Sequence, residues 1–414
     1  MYRASAAAQA APLVPAPHDY LDRDRLIAFY ERIVARDSDD QITLRMLAAQ
    51  YLARFRERGD LGDVARAQAA AQRSLALQPS GNDSADMTLS SALLAYHEFP
   101  RALHYARAAE AAVPSNDAAQ AQVSSLLMEL GRYREAGVRL TRTGSADADP
   151  SSLAVRARYF ELTGRLSLAR NLIDDATGSL DRLIAGPAYA RSWYHVRAAQ
   201  LAFEAGDDDT VRDQLQRALE LFPDNAAALM LKAQWERAHH WWVASLSDAT
   251  RSAELYPLPQ TLGYEADAQR ALGDVRAAEQ TDALIDAERR LYNVQGVNDR
   301  LLAMYYAQRQ THLAVALRMA RADLVRRGNE IYADDTMAWV LAAAGRWPQA
   351  RTYAVRAVRL ETEDPTLQYH AGAIAMETGH ADEARARLSR ALALNPNFDA
   401  FYADDARRRL AALQ

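Results

Sequence analysis

Two short runs in this 414-residue chain are dense enough in polar side chains to suggest chemistry: His239-His240-Trp241-Trp242 and Asp207-Asp208-Asp209. Imidazoles ligate transition metals, and aspartates offer the oxygen ligands that a hard cation takes. The spacing argues against both. Adjacent histidines on a helix point to different faces, and no third ligand can be identified. The aspartate run lacks the glycine and the closing glutamate of a calcium loop, so it reads as a solvated turn. The histidine run reads as a turn packed by Trp242. There is no Gly-rich phosphate loop, no HExxH zinc motif and no GxSxG elbow, and Ser, His and Asp are scattered without a nucleophile context. The expectation is a non-enzymatic protein with no catalytic residues, no cofactor and no metal.

The composition narrows the class further. Half the residues are apolar, enough for a large core, and the formal net charge is −5 with a pI near 6.0. That charge argues against a nucleic-acid binder driven by phosphate neutralisation. Nearly all the basic charge is arginine; Lys232 is the single lysine. There is no cysteine, so disulfides, thiolate metal sites and cysteine nucleophiles are excluded. No apolar run is long enough to span a membrane. Residues 1–18 are rich in Ala and Pro, and Ala8-Gln9-Ala10 before Ala11-Pro12 resembles a signal-peptidase site. The charged and apolar stretches that should precede such a site are missing. Two readings stay open, a flexible tail or the remnant of an export signal, and the compartment stays open with them (cytoplasm or periplasm).

What must position any functional side chain is a repeat. Ala316, Ala350 and Ala384 stand 34 residues apart in similar phrases, the interval of helix-turn-helix units that stack into a solenoid. The clearest unit, 366–397, carries Gly372, Gly379, Ala384, Ala391 and Pro396. Extending the register gives ten units starting near 41, 83, 117, 150, 192, 226, 259, 297, 331 and 365. Position 8 of each unit is small in nine of ten, Met304 being the exception, and position 27 in eight of ten. Small residues let the two helices of a unit approach closely. Turn glycines (Gly131, Gly164, Gly206, Gly273, Gly345, Gly379) end first helices, and Asp39-Asp40, Asp224-Asn225 and Asp334-Asp335 offer N-caps to the next.

These units resemble tetratricopeptide repeats of bacterial type over roughly residues 19–398. The resemblance implies an all-α, right-handed superhelical solenoid of about ten repeats with a C-terminal capping helix. The expected organisation is a tail at 1–18, an N-terminal sub-array at 19–178, a C-terminal sub-array at 188–397 and the cap at 398–414. Residues 178–187 would be a hinge or a change of pitch between the sub-arrays, and the first array would open on a half repeat.

In repeats of this family the concave wall is lined by first-helix positions 2, 5, 9, 12 and 13. Carried over, that wall would present Trp193, Phe203, Met230, Arg237, Arg270, Tyr305, Tyr332, Trp339 and Tyr369, with Gln200 and Gln234 among them. Aromatic residues, methionine and arginine are the types enriched at interfaces. The paired lysines of the family's carboxylate clamp are absent, and so is its asparagine ladder. The expectation is a scaffold holding a peptide or helix of a protein partner in its concave groove, in a specific version an extracytoplasmic assembly factor. A ligand-responsive sensor and an accessory domain of a separately encoded enzyme remain as alternatives, and the oligomeric state is undetermined.

Overall fold

The computed structural model describes residues 19–142, 149–183, 186–292 and 296–413. The segment 1–18, and with it the export-signal reading, lies outside them, as do Thr143 and part of the 178–187 insertion. A 3-10 turn at 19–22 leads into a lone helix, α1 (Arg23–Arg36). Five helix pairs follow: α2 (Gln41–Arg58) with α3 (Leu61–Leu77), α4 (Asp83–Ala95) with α5 (Phe99–Ala112), α6 (Asp117–Glu129) with α7 (Tyr133–Arg142), α8 (Pro150–Leu162) with α9 (Leu166–Asp181), and α10 (Ala188–Glu204) with α11 (Asp208–Leu221). Five more complete the array: α12 (Ala226–Ala238) with α13 (Trp242–Leu255), α14 (Pro259–Ala271) with α15 (Val275–Tyr292), α16 (Asp299–Arg309) with α17 (Leu313–Arg327), α18 (Ile331–Ala343) with α19 (Trp347–Ala357), and α20 (Pro365–Glu377) with α21 (Ala381–Leu394). The last helix is α22 (Tyr402–Ala412). No strand occurs among the described residues.

The pairs form where the small residues fall. Ala48, Ala157, Ala199, Ala233, Ala266 and Ala338 on first helices are fully buried, as are Ala102, Ala169, Ala316, Ala350 and Ala384 on second helices. Each lets two backbones approach within the range of ridges-into-grooves packing. The eighth pair differs by one residue: Ala303, fully buried, sits at the crossing, while Met304 is half-buried. The insertion after Arg54 lengthens α2, which runs to Arg58 and stops at Gly59 with φ +74°.

Caps follow the expected chemistry with one correction. Asp40 accepts from the backbone N–H groups of Ile42 and Thr43, and Asn225 from that of Ala228. Asp334 and Asp335 do not cap; they lie inside α18, whose cap is Glu330, accepting from the Ala333 N–H at 2.9 Å. Both are instead buried acceptors. Asp334 takes Arg356 and Arg359, and Asp335 takes the Nδ1 of His370 at 3.0 Å.

The array winds far enough to meet itself. The turns of the first five pairs press on linkers that lie one superhelical turn further along the chain. A Cβ at Gly131 would stand 2.3 Å from the backbone of Asn329, and one at Gly164 would stand 2.2 Å from the carbonyl oxygen of Glu361. Gly206 faces Leu394 and Asn395, and Gly59 faces the ring of Tyr256. At the second turn, where His97 occupies the glycine position with φ +57°, Phe99 carries the guanidinium of Arg327 at 4.4 Å.

Along this seam, side chains of one turn satisfy helix ends of the other. The first N–H of α18, at Ile331, donates to the Tyr133 hydroxyl at 2.9 Å. The first N–H of α9, at Leu166, donates to Glu363 at 2.8 Å. In the opposite sense, Thr362 donates to the carbonyl of Glu161 near the end of α8, and Asn395 to that of Phe203 near the end of α10, at 3.2 and 2.6 Å. Helix termini carry unpaired groups that must find partners when buried. Here the partners lie 192 to 201 residues away in sequence.

Two expectations follow. Gly345 has φ +70° but open space around it, so Gly345→Ala should cost about 1 kcal/mol for the left-handed backbone alone. Gly131→Ala adds an overlap with backbone atoms and should cost about 3 kcal/mol or more; equal losses in denaturant unfolding would contradict the seam. The second concerns His97, whose pKa is pushed down from 6.5 to about 4 by burial and by Arg327 and Arg300, with Asp323 and Glu129 opposing. The unfolded chain therefore takes the proton first, so this contribution is complete above pH 6.5 and is lost as pH falls toward 4. His97→Asn, which tolerates the positive φ, should flatten the difference in urea midpoint across that window; superimposable pH profiles would refute the assignment.

Candidate functional site

The two polar runs cancel each other. Asp208 accepts from the indole N–H of Trp235 at 2.8 Å and lies 2.9 Å from the Nε2 of His239, while Trp241 packs edge-on to Trp235 with ring centres 5.0 Å apart. Asp207 caps α11 and pairs with Arg170, and Asp209 pairs with Arg212. Trp242 turns the other way, toward Phe401. Asp207–Asp209 thus serve the α10–α11 turn, and His239 and Trp241 pack the α12–α13 turn.

Of the nine residues assigned to the concave wall, several are packed against other parts of the chain. Arg237 is 1% exposed, held by Asp267 at 2.8 Å and by Asp399 at 2.6 Å, between the rings of Tyr264 and Phe401. Phe203 is 4% and Tyr369 is 2% exposed. As free groove contacts these three are corrected: Phe203 is buried in the core between the fifth and sixth pairs with Val211, Leu231 and Trp235, and the segment after Pro396 folds back over Arg237 and Tyr369. Tyr369 donates to Asp405 at 2.8 Å, and Trp339 donates to the Tyr402 hydroxyl at 3.1 Å with its ring stacked 4.0 Å from that of His370. Tyr305 and Arg270 converge on Asp282, and Tyr332 lies between the guanidinium groups of Arg158 and Arg300 at 5.1 and 5.8 Å.

The same helices carry a lattice of paired charge. Glu161 takes Arg158 and Arg197, Arg327 takes Glu129 and Asp323, and Asp267 takes both Arg237 and Arg309. Burying charges this way is tolerable because each is paired and hydrogen-bonded. Glu204 is the odd member. Burial, then the neighbouring carboxylates Glu161 and Asp364, push its pKa well up, and one of its oxygens has no partner.

One stretch of wall stays open. Trp193 is 39% exposed and stands with Met230, Gln200, Gln234 and Gln260 around a cavity of about 360 Å³, closed opposite by Asp364–Thr366 and Phe398. Gln234 has no hydrogen-bond partner among the described residues; Gln200 accepts from Arg197 at 2.7 Å, which leaves its amide N–H₂ outward. Of the expected groove residues, Trp193, Met230 and the largely buried Phe203 line this space. Asp364 and Phe398 were not legible as site residues, because they arrive from the other turn of the superhelix.

Helix pairs crossing at buried small residues, turn glycines in the left-handed region and a polar-backed terminal helix decide the architecture. The fold is a tetratricopeptide-type solenoid. No family model and no curated protein matches this solenoid. Among solved structures it is similar to Cut9 in the APC/C hetero-tetramer Cut9–Hcn1, at 11% identity over 96% of this chain and 92% of that one, TM-score 0.44. It is also similar to yeast Tom70 (13%, 95% and 93%, TM-score 0.38) and to the TPR domain of P58(IPK) (14%, 91% and 99%, TM-score 0.28).

Because Trp339 is a packing residue of the solenoid's C-terminal end, Trp339→Ala should destabilise it by on the order of 3 kcal/mol. Unfolding followed by tryptophan fluorescence and circular dichroism checks this. An unchanged midpoint would return Trp339 to the open wall.

Proposed function

We propose that this solenoid is a non-enzymatic protein-binding scaffold that takes an extended segment of a protein partner at the mouth between α10, α12 and α14. The observation that supports this best is the exposed Trp193 on a wall otherwise filled by the chain's own side chains. Exposed tryptophan beside a methionine is the composition of an interface anchor. Gln200 and Gln234 project from equivalent positions of successive first helices and supply amide groups that match the donors and acceptors of a peptide backbone. A long helix of a partner fits this reading less well, since α20 and Phe398 narrow the opposite side. The extracytoplasmic version rests on residues 1–18, which lie outside the described residues.

The test compares wild type with a Trp193→Ala, Met230→Ala variant. A partner recovered with the wild type should lose affinity by about 2 kcal/mol or more in the variant, with circular dichroism and unfolding midpoint nearly unchanged. Undiminished affinity in the folded variant would place the partner elsewhere.

A further inference from the structure

A second cavity, of about 620 Å³, opens where the N-terminal end of the array meets the linkers of the fifth and sixth pairs. Its walls are apolar and largely aromatic: Tyr20, Phe55, Tyr189, Phe222, Leu255 and Tyr256. The rings of Tyr20 and Tyr189 stand edge-on to Phe222 at 4.8 and 5.6 Å, so three segments far apart in sequence build one surface.

The charged and amide groups in this wall are engaged elsewhere, with one exception. Glu57 is held by Arg23 at 2.6 Å, Arg58 by Asp24 at 2.8 Å and Asp224 by Arg251 at 2.7 Å. Asn225 donates to Ser192, and Ser252 to the carbonyl of Ala226. Arg56 alone forms no hydrogen bond or ion pair among the described residues, although Arg54 and Arg58 on the same helix are both paired. Successive even-numbered residues of a helix point to different sides, so Arg56 is aimed away from the acidic cluster that its neighbours use. Water reaches its guanidinium, but the surrounding chain encloses it enough to lower its pKa. Arginine nevertheless stays cationic at neutral pH.

We propose that this cavity binds a small amphipathic monocarboxylate, its aliphatic or aromatic body against the apolar walls and its carboxylate on Arg56. The volume lies within the range of small-molecule sites, which pair apolar walls with a few placed polar groups. A guanidinium fork matches a carboxylate in two parallel hydrogen bonds. A phosphate dianion asks for more donors than one arginine supplies. A peptide would bring backbone amides that the spent polar groups of this wall cannot satisfy. This cavity shares Ala227 and Met230 with the scaffold mouth, whereas Arg56, Phe55, Tyr189 and Tyr256 belong to it alone, and the proposal does not rest on the scaffold reading.

The test is calorimetric titration of the full chain with sodium octanoate and, separately, with 1-octanol. Octanoate should bind saturably at one site. Arg56→Gln, at a water-accessible and unpaired position, should weaken octanoate by about tenfold or more while changing octanol by less than about twofold. Ala226→Trp, at a half-buried position that lines this cavity and not the scaffold mouth, should remove both. Absence of saturable octanoate binding, equal affinity in Arg56→Gln, or octanoate binding that survives Ala226→Trp would each overturn the assignment.

Discussion

The structure depends on helix ends of one superhelical turn being completed by residues of the next. A buried helix terminus leaves N–H or C=O groups unpaired, at a cost of about 1–3 kcal/mol for each group left so. In this chain Tyr133 and Glu363 receive N–H groups at the starts of α18 and α9, and Thr362 and Asn395 reach carbonyls near the ends of α8 and α10. Donation therefore runs both ways across the seam. The backbones come close enough for this because glycine stands at Gly131, Gly164 and Gly206, where a Cβ would meet backbone atoms. A solenoid held only by nearest-neighbour packing is quasi-one-dimensional; this one gains a second, long-range set of contacts.

Closing the turns has a consequence for the inner wall. Side chains that would face an open groove instead face the opposite turn, and they are arginines and carboxylates in nearly matched supply. Arg237 between Asp267 and Asp399 illustrates it: the pair to Asp267 is local to the concave face, whereas Asp399 comes from the segment before the terminal helix. Arginine suits this position because its planar fork serves two carboxylates at once and stacks on Tyr264 and Phe401. Accessible apolar surface remains around Trp193 and Met230, and in the cavity lined by Phe55 and Tyr189.

Much of the fold was legible in the sequence because it is built from contacts that recur every 34 residues. Ala384 under the α20–α21 crossing and Gly379 at its turn repeat Ala350 and Gly345 one unit earlier, and each does the same physical task. The slip from Met304 to Ala303 marks where that recurrence breaks. The site was less legible, for a related reason. Repeat position singles out Arg237, Tyr369 and Trp339 but not what they meet. Their partners Asp399, Asp405 and Tyr402 belong to the terminal segment, outside the periodic pattern. Asp334 and Asp335 misled in the same way: read locally they are caps, yet they serve as buried acceptors for Arg356, Arg359 and His370, which lie on later helices.

The seam can be measured directly, and the absence of native cysteine makes the labelling clean. Spin labels on Arg132→Cys and Asn329→Cys would report the separation between the third turn and the linker before α18, which the structure places in contact beside Gly131. Pulsed electron-resonance distances should give one narrow population near the short limit of the method. A broad distribution at long distance, in a chain that keeps its helicity, would mean that the superhelix is open and that the reciprocal capping described above does not hold it.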